Sequence, residues 1–530
     1  MAACRSGTWW GEVGALPQCG WCRGHAFGVL EESSQTGWIL RAALVALNDP
    51  AGARRANVAL IDSSGVVSWA GVEDLGSMAM RFGSWVSGVS VAVLCCVLPL
   101  MADDVSVWPQ FRGPGARGVA VATGVPEVWS ATENVEWKRD VAGRGWSSPV
   151  VWGESVFLTT VVNTGKSEEP KKGLYFGGDR TAPPQSVHQW KVLCLDLATG
   201  AVRWERQVHE GQPQSSIHIK SSFASETAVT DGERVYFCFG NVGIFCFDFA
   251  GSEVWRHELP ALPMRFGWGT AASPALHDGR LYYCGDNEQQ SYLLALDAAT
   301  GKQLWRTERE DKSNWSTPFV WQHQQRTEIV VAGTGGIQSY DPDGQLLWST
   351  RGGMSSITIA TPYAADGLLY VSSGYVLDQQ RPIYAIRPGA AGDISLAKGE
   401  SSNQFIVWSQ AKAGPYNPST LVSGSRLFVL YDRGFFAGFD ALTGGELFGQ
   451  QRLPNGRAFT ASPWAADGKI FCLNEDGVTF VLRDSDQYEL IRTNSLAEDD
   501  MGMATPAIIG DRLLIRTAAR IYSIRSAKRD

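Results

Sequence analysis

The sequence predicts an all-β protein, an eight-bladed β-propeller of four-stranded antiparallel blades whose last blade is closed by the N-terminal strand. Three observations lead to it. Five segments repeat an Asp-bearing strand, a turn with Gly and an aromatic four residues later: LDLATGAVRW (Gly200, Trp204), FDFAGSEVW (Gly251, Trp255), LDAATGKQLW (Gly301, Trp305), YDPDGQLLW (Gly344, Trp348) and FDALTGGELF (Gly444, Phe448). A second landmark recurs eight times, mostly at intervals of 43 to 48 residues. The final unit runs out one strand short, and the other end of the chain holds a strand to spare. A unit that cannot bury its own faces must stack on its neighbours, so such a repeat builds an array.

The second landmark is a small or hydroxyl residue before Pro that opens a short strand: Ser148-Pro149, Ser273-Pro274, Thr317-Pro318, Thr361-Pro362, Asn417-Pro418, Ser462-Pro463 and Thr505-Pro506, with Ser225-Glu226 taken as the same place without Pro. Each leads into a turn, such as Asp278-Gly279 or Asp467-Gly468. Two alternating strands and the Gly-to-aromatic turn follow, which makes four strands per unit. The longer intervals hold inserts at 165–188 and 389–403, whose polar, Gly-rich composition places them on the surface. Trp137 in Asn134–Asp140 stands where the repeat aromatics stand, so this strand completes the eighth unit and removes the open sheet edges. Trp408 holds the same place in the fifth unit.

The chain has 530 residues, 44% hydrophobic and 19% charged, with a formal net charge of -8. That suffices for a large core, and no Lys/Arg stripe tracks a phosphate backbone, so nucleic acid is not an expected partner. The first Lys is Lys138. Before it, Met78-Ala-Met80-Arg81 opens an apolar run from Trp85 to Ala102, followed at once by Asp103-Asp104. This reads as a secretory signal cleaved after Ala102 or as a membrane anchor, with translation starting at Met78 or Met80. The expected organisation is therefore 1–77 untranslated or disordered, 78–102 signal or anchor, 103–133 an N-terminal extension and 134–530 the propeller. Secretion or a periplasmic location follows, with membrane association through an uncleaved segment alone.

The Cys19-x-x-Cys22 spacing lacks a second pair. Leu94 before Cys95-Cys96 does not fit a lipid-attachment signal. Cys194, Cys238, Cys246, Cys284 and Cys472 sit in apolar strands and read as small core residues, a cross-strand disulfide being the alternative. The histidines after the signal show no metal-type spacing, and no nucleophile, phosphate-loop or zinc motif is present. No catalytic residue and no metal ligand is assigned. Gly177-Gly-Asp-Arg180 reads as a turn, with a ligand clamp as the alternative.

The DAATGKQLW-type unit resembles the pyrroloquinoline quinone-like (PQQ-like) β-propeller repeat over residues 134–526. Trp108-Pro-Gln-Phe-Arg-Gly-Pro114 and two further stretches resemble a secreted planctomycete-type subgroup. The resemblance implies two kinds of relative. Quinoprotein alcohol dehydrogenases hold a quinone between a Trp and a vicinal disulfide, with Ca²⁺ on Glu, Asn and Asp side chains. The propeller lipoprotein of the outer-membrane β-barrel assembly machine is a scaffold. This chain lacks adjacent cysteines after the signal. The repeat aromatics Trp137, Trp204, Trp255, Trp305, Trp348, Trp408 and Phe448 pack blade on blade in either case.

Residues three before each landmark Pro should approach the central channel: Trp146, Phe223, Ala271, Trp315, Ile359, Pro415, Thr460 and Met503. Trp268, Tyr416, Asn417, Arg457 and Phe459 share those connections, with Lys220 nearby. An aromatic funnel of Trp146, Phe223, Trp268, Trp315, Tyr416, Asn417, Arg457 and Phe459 suits a peptide or flat ligand, or simply plugs the axis. The expected function is a noncatalytic extracytoplasmic scaffold, monomeric, binding a protein or other ligand without a cofactor. The alternatives are a PQQ- and Ca²⁺-dependent dehydrogenase and a cell-wall or carbohydrate-binding propeller.

Overall fold

The computed structural model describes residues 107–121, 124–166, 170–174 and 182–526, together with the backbone of four strands at Val29–Ser33, Ile39–Asn48, Arg54–Ile61 and Val67–Gly71. The chain divides into two compact units, Met1–Ala102 and Asp103–Asp530. In the first, the four strands form one antiparallel sheet in chain order. The predicted signal or anchor at 78–102, Cys19 and Cys22, and Gly177–Arg180 lie outside the described residues. No helix among the described residues is long and apolar enough to cross a membrane.

The second unit is an eight-bladed propeller of antiparallel four-stranded sheets. Blade 1 comprises Val150–Trp152, Ser155–Asn163, His188–Asp196 and Val202–Gly211. Blades 2 to 7 open on Val229–Thr230, Ala275–His277, Phe319–Gln322, Tyr363–Ala365, Leu421–Ser423 and Trp464–Ala466, and end on Glu253–Glu258, Gln303–Arg309, Leu346–Ser349, Ile406–Gln410, Glu446–Arg452 and Leu490–Ser495. Blade 8 comprises Ala507–Ile509, Arg512–Arg516 and Arg520–Arg525, and Val135–Asp140 pairs antiparallel with its third strand, Ser523 opposite Trp137. Glu136 binds Arg512 at 2.7 and 2.8 Å and Arg525 at 3.2 Å across this closure. The insert at 389–403 adds Gly392–Asp393 as a parallel strand on the outer edge of blade 4.

Second and third strands lie between two neighbouring blades, so both faces are buried and their sequences are apolar runs, as in Ile470–Leu473 and Val235–Phe239. Fourth strands face solvent and alternate, as in Val135–Asp140. The repeated Asp has a local task. Asp196 Oδ1 accepts from the backbone of Ala198 and Thr199 and from the Thr199 hydroxyl at 2.8 to 3.1 Å, and Asp297 and Asp440 order Thr300 and Thr443 in the same way. This is an Asx turn, which brings Gly200 to φ +68, where a residue with a Cβ is strained.

The aromatic and the Gly of each repeat meet across blades. A Cβ built on Gly251 would stand 2.7 Å from the indole of Trp204, and on Gly301 2.4 Å from that of Trp255. Gly344 and Gly444 receive Trp305 and Trp408 likewise. Each indole then donates to a carbonyl of that turn, Phe249, Ala298, Pro342 or Ala441, at 2.9 Å. Trp348 differs: blade 5 has an insert where the receiving turn would be, and the indole donates at 2.6 Å to the buried Glu328. Phe448 packs on Gly438 of its own blade and on Tyr488.

The hydroxyl landmark carries hydrogen bonds at six of the blade junctions around the axis, where the first strands of successive blades touch. Ser148, Thr227 and Ser273 each donate their backbone N–H to the next blade's hydroxyl, Thr227, Ser273 and Thr317, at 2.9 to 3.1 Å. Thr361, Ser419 and Ser462 do the same to Ser419, Ser462 and Thr505 at 2.9 to 3.0 Å. This corrects two assignments. The blade 2 landmark is Thr227-Ala228 rather than Ser225-Glu226, and that of blade 6 is Ser419-Thr420 rather than Asn417-Pro418. The hydroxyl acceptor defines the position and the Pro is dispensable. The five cysteines of this unit are free and buried in blade strands.

Candidate functional site: the channel mouth

The N-terminal extension occupies the axis along the first strands. Val107–Trp108 pairs with the inner edge of Val150–Trp152, and Pro109 O accepts from Thr230 N at 2.9 Å. Arg112, fully buried, donates at 2.6 Å to Thr420 O and lies over the Tyr363 ring at 4.8 Å. Burial without a carboxylate lowers its pKa to about 10. Gly118 and Ala120 then bond Ala465 of blade 7. Positive φ at Arg112, Gly113, Gly115, Ala116 and Gly118 lets this coil turn within the narrow axis.

Toward the ends where the chain enters the first strands, the axis widens into a cavity of about 240 Å³. Ala271, Trp315, Ile359, Asn417, Thr460 and Met503 line it from successive blades, joined by Trp268, Tyr375, Tyr416 and Lys220. Two aromatic pairs stand there: Trp268 with Trp315, ring centroids 5.9 Å apart, and Tyr375 with Tyr416, 5.2 Å apart. The Trp315 indole is held by Gly269 O at 2.7 Å. Leu174, from the first insert, also reaches this cavity.

Charge at the mouth is partly committed. Lys220 Nζ pairs with Glu475 and donates to Gly173 O at 2.8 Å; Glu475 also accepts from Thr460 Oγ1 at 2.8 Å and Gly173 N at 2.9 Å. Asp432 lies on the wall, and burial raises its pKa against the opposing pull of Arg433, Lys220 and Arg381. Behind Thr270, Glu226 is fully buried and accepts from Thr270 Oγ1 at 2.6 Å and Gly240 N at 3.1 Å. Desolvation raises its pKa.

Of the residues singled out in the sequence, Trp268, Trp315, Tyr416 and Asn417 share this cavity. Trp146 is buried with its indole on Lys220 O at 2.9 Å. Phe223 stands between two further cavities of about 240 and 420 Å³ on either side of blade 1. Phe459 is buried against Phe480, and Arg457 is exposed, 3.6 Å from Asp476. Tyr375, Asp432 and Arg433 were not singled out. Asp432 and Arg433 follow the second strand of blade 6 in YDRG, where a turn is the only local signal.

The donor set at the mouth does not fit a Ca²⁺-bound quinone. Among the described residues the mouth's lining holds one carboxylate, Asp432; the neighbouring Glu475 is engaged by Lys220, and no group of three acidic, His or Cys side chains could hold a metal. The free cysteines are too dispersed along the chain for a vicinal disulfide.

Comparison with known proteins places the fold. Residues 244–388, from the third strand of blade 2 to the end of the third strand of blade 5, match the family model described as outer membrane protein assembly factor BamB. This match supports the resemblance of the repeat units to the PQQ-like propeller repeat. No curated protein matches the chain. Among solved structures, BamB from Moraxella catarrhalis is similar at 13% identity and a TM-score of 0.45, covering 67% of this chain and 98% of that one. Quinohemoprotein alcohol dehydrogenase from Comamonas testosteroni is similar at 11% identity and a TM-score of 0.48, covering 80% and 81%. A europium-containing methanol dehydrogenase is similar at 12% identity and a TM-score of 0.42, covering 71% and 89%. These identities bear on fold alone.

Proposed function

We propose that this protein is a noncatalytic, extracytoplasmic binding scaffold whose channel mouth receives a segment of a partner protein. The observation that carries this reading is the mouth itself: an axis filled from within by the chain's own extension, widening into a cavity walled by two aromatic pairs. At about 240 Å³ the cavity is below the usual size for a drug-sized ligand or cofactor and suits one side chain and its flanking backbone. Rigid aromatic anchors are the residues that carry most binding energy at protein interfaces. The match to the assembly-factor family agrees with a scaffold role, and the 78–102 segment with export.

The test is site-specific photo-crosslinking in the source cells, with benzoylphenylalanine at Ile359 in the mouth and, as control, at the exposed Gln322. A defined protein adduct from position 359, lost with Trp315→Ala, is expected. Adducts equal from both positions, or none at 359, would contradict the reading.

A further inference from the structure

Between blades 5 and 6 a second cavity, of about 230 Å³, adjoins the mouth: Val376, Tyr416, Asp432 and Arg433 wall both. Arg381 lines its other side, and its Nε is buried with no hydrogen-bond partner. Arg381 is half-buried beside this cavity, and its guanidinium carries five N–H donors that an acceptor entering there could take up. Charge points the same way. Asp432 feels Arg381, Arg433 and Lys220, and Lys220 is already paired with Glu475. The lining of this cavity thus holds one carboxyl, Asp432, and two guanidinium groups, Arg381 and Arg433, an excess of positive charge that an entering anion would balance.

We infer that this pocket is a carboxylate subsite, in which Arg381 and Arg433 receive the C-terminal carboxylate of the partner segment while its last side chain, aromatic, lies between the Trp268–Trp315 and Tyr375–Tyr416 pairs. The inference rests on the mouth being a partner-binding site. A chain terminus fits because its carboxylate and side chain diverge from a single Cα, as the guanidinium pocket and the aromatic cavity diverge from the shared wall at Tyr416 and Asp432. Guanidinium groups bind carboxylates through paired N–H donors, a geometry Lys cannot reproduce.

The full-length protein is titrated, by tryptophan fluorescence, with the tripeptide Ala-Ala-Phe as free acid, the same peptide amidated, and N-acetylphenylalanine. The free acid is expected to bind at least tenfold tighter than the amide. Arg381→Gln and Arg381→Lys should each remove that difference, and Asp432→Asn should tighten the acid; circular dichroism and melting check that each variant is folded. N-acetylphenylalanine binding as tightly as the free peptide would support the subsite and assign it to small aromatic acids. Equal affinity for acid and amide, abolished by Trp315→Ala, would overturn the subsite and leave the mouth reading intact. Binding of no probe would overturn the subsite, and the crosslink at position 359 then judges the mouth independently.

Discussion

The indole of Trp137, on the N-terminal strand, lies on Gly200 of blade 1: a Cβ built there would stand 2.4 Å from Cε3, and Nε1 donates to Leu197 O at 3.0 Å. This is the same inter-blade contact made by Trp204 on Gly251 and Trp255 on Gly301, here made by the strand that closes the ring. Closure thus uses the same packing as every ordinary junction.

Replacing Gly200 by Ala should separate the two costs at this position. Gly153 also has positive φ, +56, with nothing near its Cβ. Gly153→Ala should cost about 1 kcal/mol, the backbone penalty alone, and Gly200→Ala about 3 kcal/mol, because the methyl must displace the indole. Denaturant unfolding of the two variants measures the difference. Equal losses would show that the indole does not dock.

The ring should not form without its N-terminal strand. Truncation to residues 141–530 removes both Val135–Asp140 and the axial plug, exposing the third strand of blade 8 as an open edge. The truncated protein should aggregate or unfold noncooperatively, and a separate 103–140 polypeptide should restore a single cooperative melt. Unchanged melting of the truncated protein would refute the closure.

The hydroxyl landmark predicts a contrast between two serines. Ser462 Oγ accepts the buried N–H of Ser419, whereas Ser148 Oγ is buried with no partner. Ser462→Ala strands a donor and should cost about 1–3 kcal/mol, and Ser148→Ala should be neutral or stabilising. Melting curves decide, and a larger loss at position 148 would reverse the assignment.

Glu226 predicts a pH dependence. Its folded pKa is raised by burial, so the unfolded chain releases this proton first as pH rises. The contribution is complete below the ordinary Glu range and declines as pH rises through the folded value. Glu226→Gln should remove the decline and, at pH 8, stabilise the protein by about 1 kcal/mol. A variant less stable than the parent at pH 8 would mean that the ionised carboxylate is the form the fold needs.

Much of the fold was legible because its causes are local. Asp196, Thr199, Gly200 and Trp204 lie in and beside one turn, and each has a physical task that fixes its type. The landmark of blade 6 differs from the expectation because Pro418 precedes the hydroxyl residue, Ser419, rather than following it, and that of blade 2 because no Pro marks it at all; the position selects a hydroxyl acceptor for the neighbour's N–H, which Ser419 and Thr227 supply. Trp315, Trp268, Tyr416 and Asn417 could be placed at the mouth by counting back from the strands. Phe459 and Arg457 could not, since the coil before blade 7 turns Phe459 into the core against Phe480. The Arg381 pocket was invisible because Arg381 and Arg433 lie in two different blades, and no local spacing links them.

The central claim, a scaffold rather than a quinone enzyme, is tested most directly by titrating the full-length protein with pyrroloquinoline quinone, with and without Ca²⁺, and following tryptophan quenching. Trp268 and Trp315 at the mouth would report an occupant. The account predicts no saturable, Ca²⁺-dependent quenching; saturable micromolar binding that requires Ca²⁺ would contradict it.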